Sequence, residues 1–171
     1  PMSLIIVGTV AFDDVETPFG KSGRMVGGAA SYIGLSASHF VKVQHLVSVV
    51  GDDFPGSFMN ELESRGVRLD GLEVRKGEKS FYWSGKYHYD MNSRDTLATD
   101  LNVLATFDPQ VPEAAKTAQY VMLGNLDPQV QLSVLNQMPN RPKLVILDTM
   151  NFWMDIALDP LKDVLKRVDV L

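Results

Sequence analysis

The sequence predicts an α/β fold: a doubly wound, mostly parallel sheet with helices on both faces and a small β-sheet lid, truncated at its C-terminal side. Three observations carry this. Short continuous apolar runs alternate with amphipathic stretches, as in strands buried on both faces and linked by helices. A glycine pair, Gly27-Gly28, opens a helix of small residues. An aromatic segment of strict alternation, Ser80 to Asp90, interrupts the βα rhythm midway.

Ser3 to Val10 is the first apolar run, rich in β-branched residues, with Gly8 near its end to admit close packing. Ala11 to Val26 follows as a long connection. In a compact domain such a connection is functional or has structure of its own. It holds Asp13 and Asp14. Ligands of open α/β sheets bind beyond the C-terminal ends of strands, so either Asp stands where a carboxylate meets a substrate; a turn or cap role is the alternative. Gly20-Lys21-Ser22 matches the end of a phosphate-binding loop. The glycine required five positions earlier is Val15, which excludes that motif.

Gly27 and Gly28 then lead into Ala29, Ala30, Tyr32, Ile33, Leu35, Ala37, Phe40 and Val41. The run is apolar nearly all round and predicts a buried helix. Glycines at its start allow a ligand to approach the backbone, or let the helix pack tightly on a sheet; both readings stand. Gln44 to Val50 reads as the next strand. After the turn Gly51-Asp52-Asp53, Phe54, Phe58 and Leu62 form one helical face, with Asp53 the expected N-cap and Gly66 the stop.

Within Ser80 to Asp90, Phe81, Trp83, Tyr87 and Tyr89 share one parity and Tyr82, Lys86 and His88 the other. Thr96 to Val103 is the expected partner strand across Met91-Asn92-Ser93. Residues 79–103, together with 11–26, read as lid segments inserted into one domain spanning 1–171. An oligomer-forming flap or an ordinary peripheral sheet are the alternatives. His88, Asn92 and Arg94 are polar groups that a closing lid would bring to a ligand.

The rhythm resumes with Tyr120 to Leu123, ending at Gly124-Asn125. Asp127-Pro128 is an N-cap followed by proline at the first helical position, and Val130, Val134, Leu135 and Met138 form the inward stripe. Leu144 to Leu147 is another strand, ending at Asp148, with Asn151 beyond. Asp159-Pro160 is expected to start a further helix, and Val168 to Leu171 begins like a strand. The repeating pattern predicts more polypeptide beyond Leu171.

The totals narrow the function. A chain of 171 residues is one domain's length. Its net charge of -5 argues against nucleic acid as the main partner. No cysteine is present, which removes thiolate chemistry and fits a cytoplasmic location. No apolar run approaches the ~20 residues of a membrane span, and no basic region precedes the first apolar run as in a signal peptide. The missing GxGxxG after the first strand argues against a dinucleotide-dependent oxidoreductase.

The chain resembles the N-terminal half of a ribokinase-like (PfkB) sugar or nucleoside kinase. The resemblance covers most of the 171 residues and rests on the first strand with Gly8 followed by Asp13, on Gly27-Gly28 opening a helix, on Val49-Val50-Gly51-Asp52-Asp53-Phe54-Pro55-Gly56, and on the interposed lid. It implies a Rossmann-like doubly wound domain and transfer of phosphate from ATP, with Mg2+, to a hydroxyl of a sugar or nucleoside. It implies that Asp13, Gly27, Gly28, Asn125 and Asp148 line the substrate cleft, with no metal ligand among them. Tyr32 stands where family members usually have Asn, which directs attention to it as a determinant of substrate preference. The family's Gly-Ala-Gly-Asp segment, which supplies the catalytic base, and its Asn-x-x-Glu segment are absent. The resemblance therefore implies that ATP and Mg2+ are bound mainly outside this chain, that no base is present in it, and that the isolated polypeptide is inactive. A homodimer through paired lids is a further expectation. The competing reading is a non-catalytic binding or regulatory protein of the same fold.

Overall fold

The computed structural model describes residues 2–171. The main sheet has five parallel strands: β1 (Ser3–Val7), β4 (Val43–Gly51), β5 (Val67–Arg75), β8 (Tyr120–Leu123) and β9 (Leu144–Leu147), in the spatial order β5-β4-β1-β8-β9. The order reverses at β1, so the crevice of a doubly wound sheet opens between the C-terminal ends of β1 and β8.

Strand alternation divides the apolar residues between two layers. Ile5, Val7, Val47, Val49, Val121, Leu123, Val145 and Leu147 face α3 (Pro128–Asn136) and α5 (Leu158–Leu165), meeting Val134, Leu135, Leu161 and Val164. Leu4, Ile6, Leu46 and Val50 face the opposite layer with Ala30 of α1 (Ala29–Ala37) and Leu62 of α2 (Gly56–Ser64). Each fully buried aliphatic side chain contributes about 1.5–3 kcal/mol of transfer free energy. The two-sided burial explains why these strands read as unbroken apolar runs.

A second sheet of four strands, in the order β3-β2-β6-β7, rises from the C-terminal end of β1. It comprises β2 (Ala11–Thr17), β3 (Gly20–Gly27), β6 (Phe81–Tyr87) and β7 (Arg94–Asp100). The long connection is thus an antiparallel hairpin, and β2 pairs in parallel with β6. Lys21 of β3 and Lys86 of β6 both bridge to Glu16 of β2, at 3.1 and 3.2 Å.

Several local expectations are corrected. α1 is not buried all round: it ends at Ala37, Tyr32 is 57% exposed, and Phe40 lies beyond the helix in water. Only its Ala30, Ser31 and Gly34 side are enclosed. Asp53 does not cap α2, which starts at Gly56 after Pro55. Its carboxylate instead accepts from the Ser80 backbone N–H at 2.9 Å and the Ser80 hydroxyl at 2.6 Å. The partner of β6 ends at Asp100, and a 3-10 turn covers Asn102–Thr106. β5 and the short helix α4 (Asn151–Ile156) were not signalled by the sequence pattern. α5 starts at Leu158 without a side-chain cap, one residue before Asp159. Near the end, the pairing is a single parallel bridge, Ile146 to Val170. Among the described residues no helix is long and apolar enough to cross a membrane.

Candidate functional site

The crevice at the strand ends is built from a few close approaches. Gly124 N–H donates to the Val7 carbonyl at 2.7 Å, drawing β8's exit against β1's. Thr9, just after β1, holds the start of α1: its hydroxyl accepts from Ala29 N–H at 3.1 Å and its carbonyl from Ala30 N–H at 2.9 Å. A Cβ on Gly8 would press on Ala30, so the glycine sets this strand-to-helix approach.

Asp13 of β2 reaches across the hairpin to the same place. Ala11 is paired with Gly27, so Asp13 lies one pleat along on the same face. Its carboxylate occupies the space over Gly27, where any Cβ would collide with it, and accepts the Gly28 N–H. Gly28 has φ 94°, and a Cβ there would strike the Thr9 carbonyl. Burial pushes the Asp13 carboxyl above its ordinary range, and the Gly28 N–H opposes that shift. The result is a half-buried carboxylate acceptor aimed into a crevice whose floor is bare backbone. The first three N–H groups at α1's start are committed to Thr9 and Asp13, so this helix end is no open cradle for phosphate.

Tyr32 sits one turn into α1, its N–H on the Gly28 carbonyl at 3.4 Å, with its ring exposed beside the floor. Asn125, after β8, is held on both ends: its Oδ1 accepts from the Trp153 indole at 2.8 Å and its Nδ2 approaches Met150 Sδ at 3.1 Å. Asp148 follows β9 with an exposed side chain, while its N–H donates to the Leu123 carbonyl at 2.8 Å.

Asp13, Gly27 and Gly28 therefore come together, with Asn125 and Asp148 on the adjoining strand ends. His88, Asn92 and Arg94 do not join them. They lie at the far hairpin end of the second sheet, where Tyr87 pairs with Arg94, roughly 13 Å along the strand from the level of Asp13. His88 there pairs with Asp95 at 2.9 Å.

Two positioning residues escaped the sequence reading. Gln131 of α3 is fully buried and donates from Nε2 to the Gly124 carbonyl at 2.8 Å and the Asp148 carbonyl at 3.3 Å, tying the exits of β8 and β9 together. Thr9 is the other. A buried glutamine on an otherwise apolar helix face was the available signal for the first; nothing local signals the second. A shallow depression of about 530 Å3 lies at the opposite end of the sheet, lined by Lys42, Gly66 and Asp70 among others, away from these groups.

Among the described residues no group of three or more His, Asp or Glu side chains is placed to hold a cation, and the N–H groups at the start of α1 are taken.

The fold is ribokinase-like. A nucleoside kinase of Methanocaldococcus jannaschii, an archaeal member of the ribokinase family, superposes with a TM-score of 0.77 over 99% of this chain and 60% of its own, at 16% identity. A nucleoside kinase of Burkholderia thailandensis in complex with inosine gives 0.76 over 96% and 58%, at 15% identity. In sequence, the chain is similar to a cytidine kinase of Thermococcus kodakarensis, with 26% identity over 174 residues, covering 99% of this chain and 60% of the relative. No family model matches the chain. The chain spans about 60% of the length of these relatives.

Proposed function

We propose that this chain is the substrate-holding part of a kinase that phosphorylates a hydroxyl of a sugar or nucleoside. The observation that carries the reading is the Asp13 carboxylate, half-buried at the switch point, held by Gly28 N–H over the bare backbone of Gly27. An ionised carboxylate is an acceptor only, and paired hydroxyls of a sugar are its natural donors. Gly27 and Gly28 admit the sugar ring against the main chain. Tyr32 lines the rim and bears on which substituent is accepted; Asp148 and Asn125 close the far side. The second sheet covers the crevice and excludes water, which would otherwise compete as acceptor of the phosphoryl group. ATP and Mg2+ supply the phosphoryl group and its charge neutralisation, and the reading assigns both to residues outside this chain.

The test is calorimetric titration of the chain with a panel of pentoses, hexoses and nucleosides, repeated with Asp13→Asn. The reading expects a one-to-one complex with at least one of them, weakened tenfold or more by the substitution. No binding across the panel contradicts it.

A second reading, with no cation-holding cluster among the described residues, is a non-catalytic binding protein of the same fold. Both readings expect the 171-residue polypeptide assayed alone to form no ADP in the presence of substrate, and measurable substrate-dependent ADP would contradict both. A homodimer through the second sheet is supported by exposed Phe19 and Tyr89, whose rings meet at 5.7 Å, and by exposed Leu97. Sedimentation as a monomer at micromolar concentration would contradict it.

A further inference from the structure

The Asn125 side chain starts beside the crevice but is engaged elsewhere. Asn125 follows Gly124, which packs so closely on the start of α1 that a Cβ there would lie 3.2 Å from the Ala29 side chain. The amide then turns to the segment after β9, the strand on the side of β8 away from β1. Its Oδ1 accepts from the Trp153 indole and its Nδ2 donates to Met150 Sδ. An indole N–H only donates, so the oxygen must face Trp153, and this fixes the rotation of the amide.

The segment that Asn125 holds is weakly attached. In α4 every residue but Trp153 is exposed, and no side chain caps the helix. Phe152, Met154 and Ile156 stand in water, so little packing opposes a swing. Met150 before α4 is extended, and Ala157 after it, with φ −142° and ψ 39°, separates it from α5. α4 is thus a short piece between two joints, and Trp153 is the side chain that packs on the core.

We propose that the Asn125–Trp153 bond is an autoinhibitory latch: it holds α4 against the exit of β8 and withholds the Asn125 amide from a ligand at the Asp13 corner. The inhibitory part rests on the reading of that corner as a sugar or nucleoside site. When α4 swings out, both ends of the amide are released, and the crevice gains a donor and an acceptor. The Met150 thioether is a weak acceptor and offers little resistance. Ligand affinity is reduced by the fraction of molecules in which the amide is free. By linkage, a ligand that uses the amide loosens α4 by the factor by which loosening α4 tightens the ligand. Loss of one such hydrogen bond shifts the opening equilibrium about fivefold.

The experiment has two arms. Hydrogen exchange is followed at the Trp153 indole and the α4 amides of the unmodified chain, Asn125→Ala and Asn125→Asp, and at the α4 amides of Trp153→Phe. Trp83→Phe assigns the indole resonance, since the chain has two tryptophans. The latch predicts exchange about fivefold faster in N125A and W153F, near-parent exchange in N125D, which keeps the acceptor, and unchanged protection in β8 and α3. Unchanged α4 exchange in N125A, or equal acceleration in β8 and α3, overturns the latch. The second arm is calorimetric titration with cytidine and with D-ribose. W153F is expected to bind at least threefold more tightly than the unmodified chain, and saturating ligand to speed α4 exchange by a similar factor. Binding with neither effect overturns the inhibition while leaving the Asp13 site standing. No binding by either protein, or binding that Asp13→Asn leaves unchanged, overturns the Asp13 reading and the inhibition with it. If W153F fails to fold, the effect of ligand on α4 exchange in the unmodified chain decides: no acceleration contradicts the inhibition.

Discussion

The Asp13 carboxylate fills the place where a side chain at Gly27 would stand, and the next residue's N–H, that of Gly28, donates to it. The two glycines are therefore needed for different reasons. At Gly27 the obstacle is the end of a short side chain, which can swing away. At Gly28 it is the Thr9 carbonyl, and φ is 94°. Gly27→Ala is predicted to evict Asp13 from its bond, abolishing ligand binding with a melting temperature lowered by only a few degrees. Gly28→Ala places a Cβ against fixed backbone in a left-handed conformation and is predicted to cost roughly 2–4 kcal/mol. Thermal melts of both variants, paired with ligand titration, check the contrast.

The raised carboxyl of Asp13 gives a pH dependence of known sign. A group whose folded value lies above its unfolded one stabilises the fold fully below the unfolded value, near 3.8, and loses that contribution as pH rises through the folded value. Ionised Asp13 is thus a burden on the fold at neutral pH. Asp13→Asn keeps an oxygen for the Gly28 N–H and removes the charge. It is predicted to melt at or above the parent temperature at pH 7, with the gap closing at about pH 3. Ligand binding has the opposite dependence, because it uses the ionised form, and it should fall in acid at a pH above that of an ordinary aspartate. Melts and titrations across pH 3–8 are the check; a variant destabilised at pH 7 would contradict the argument.

Ser80 anchors the second sheet to the main one. Its hydroxyl donates to Asp53 and accepts Gly51 N–H at 3.0 Å, and its carbonyl accepts the Asn102 side-chain amide at 2.9 Å. Both ends of the β6–β7 hairpin are thereby tied to the turn after β4. Asp53→Ala leaves the buried Ser80 groups without their acceptor, at a cost of about 1–3 kcal/mol. Hydrogen exchange should then quicken across β6 and β7 while β1 and β8 amides keep their protection. Uniform acceleration would mean that the bond supports the whole fold and not the hairpin's attachment.

Gln131 offers a test of how the strand exits are held. Gln131→Ala is predicted to destabilise by about 2–4 kcal/mol, through an emptied site and two carbonyls left without a donor. Gln131→Leu fills the space but restores no donor, so it should recover only part of the loss. Chemical denaturation distinguishes the two terms.

Much of this was legible in the sequence, where local pattern and final environment agree. β1, β4, β8 and β9 are buried on both faces and appear as continuous apolar runs. Asp127 caps α3 as expected, accepting Gln129 N–H at 2.8 Å. β5 was hidden because it is an edge strand whose alternation, Val67 and Leu69 against Arg68 and Asp70, changes phase at Gly71, where its pairing with β4 shifts register. Asp53 looked like a cap because it stands just before a helix, yet its partner, Ser80, is 27 residues away. α1 looked buried because its polar residues are few, while only one side meets the sheet and Tyr32 faces water. At the site, Asp13 and the glycine pair could be named from position and composition. The Asp13–Gly28 bond and Thr9's hold on α1 depend on how β1, β2 and β3 meet, which no single segment encodes.

The central claim is that a nucleoside or sugar binds at the Asp13–Gly28 corner. It is tested most directly by mapping backbone amide chemical shifts of the chain as cytidine is added. The account predicts saturable shifts concentrated at Thr9 to Asp13, at Gly27 to Tyr32 and at Gly124 and Asn125, and their loss in Asp13→Asn. Saturable shifts centred elsewhere, such as around Lys42 and Asp70, or shifts that persist unchanged in the variant, would contradict it.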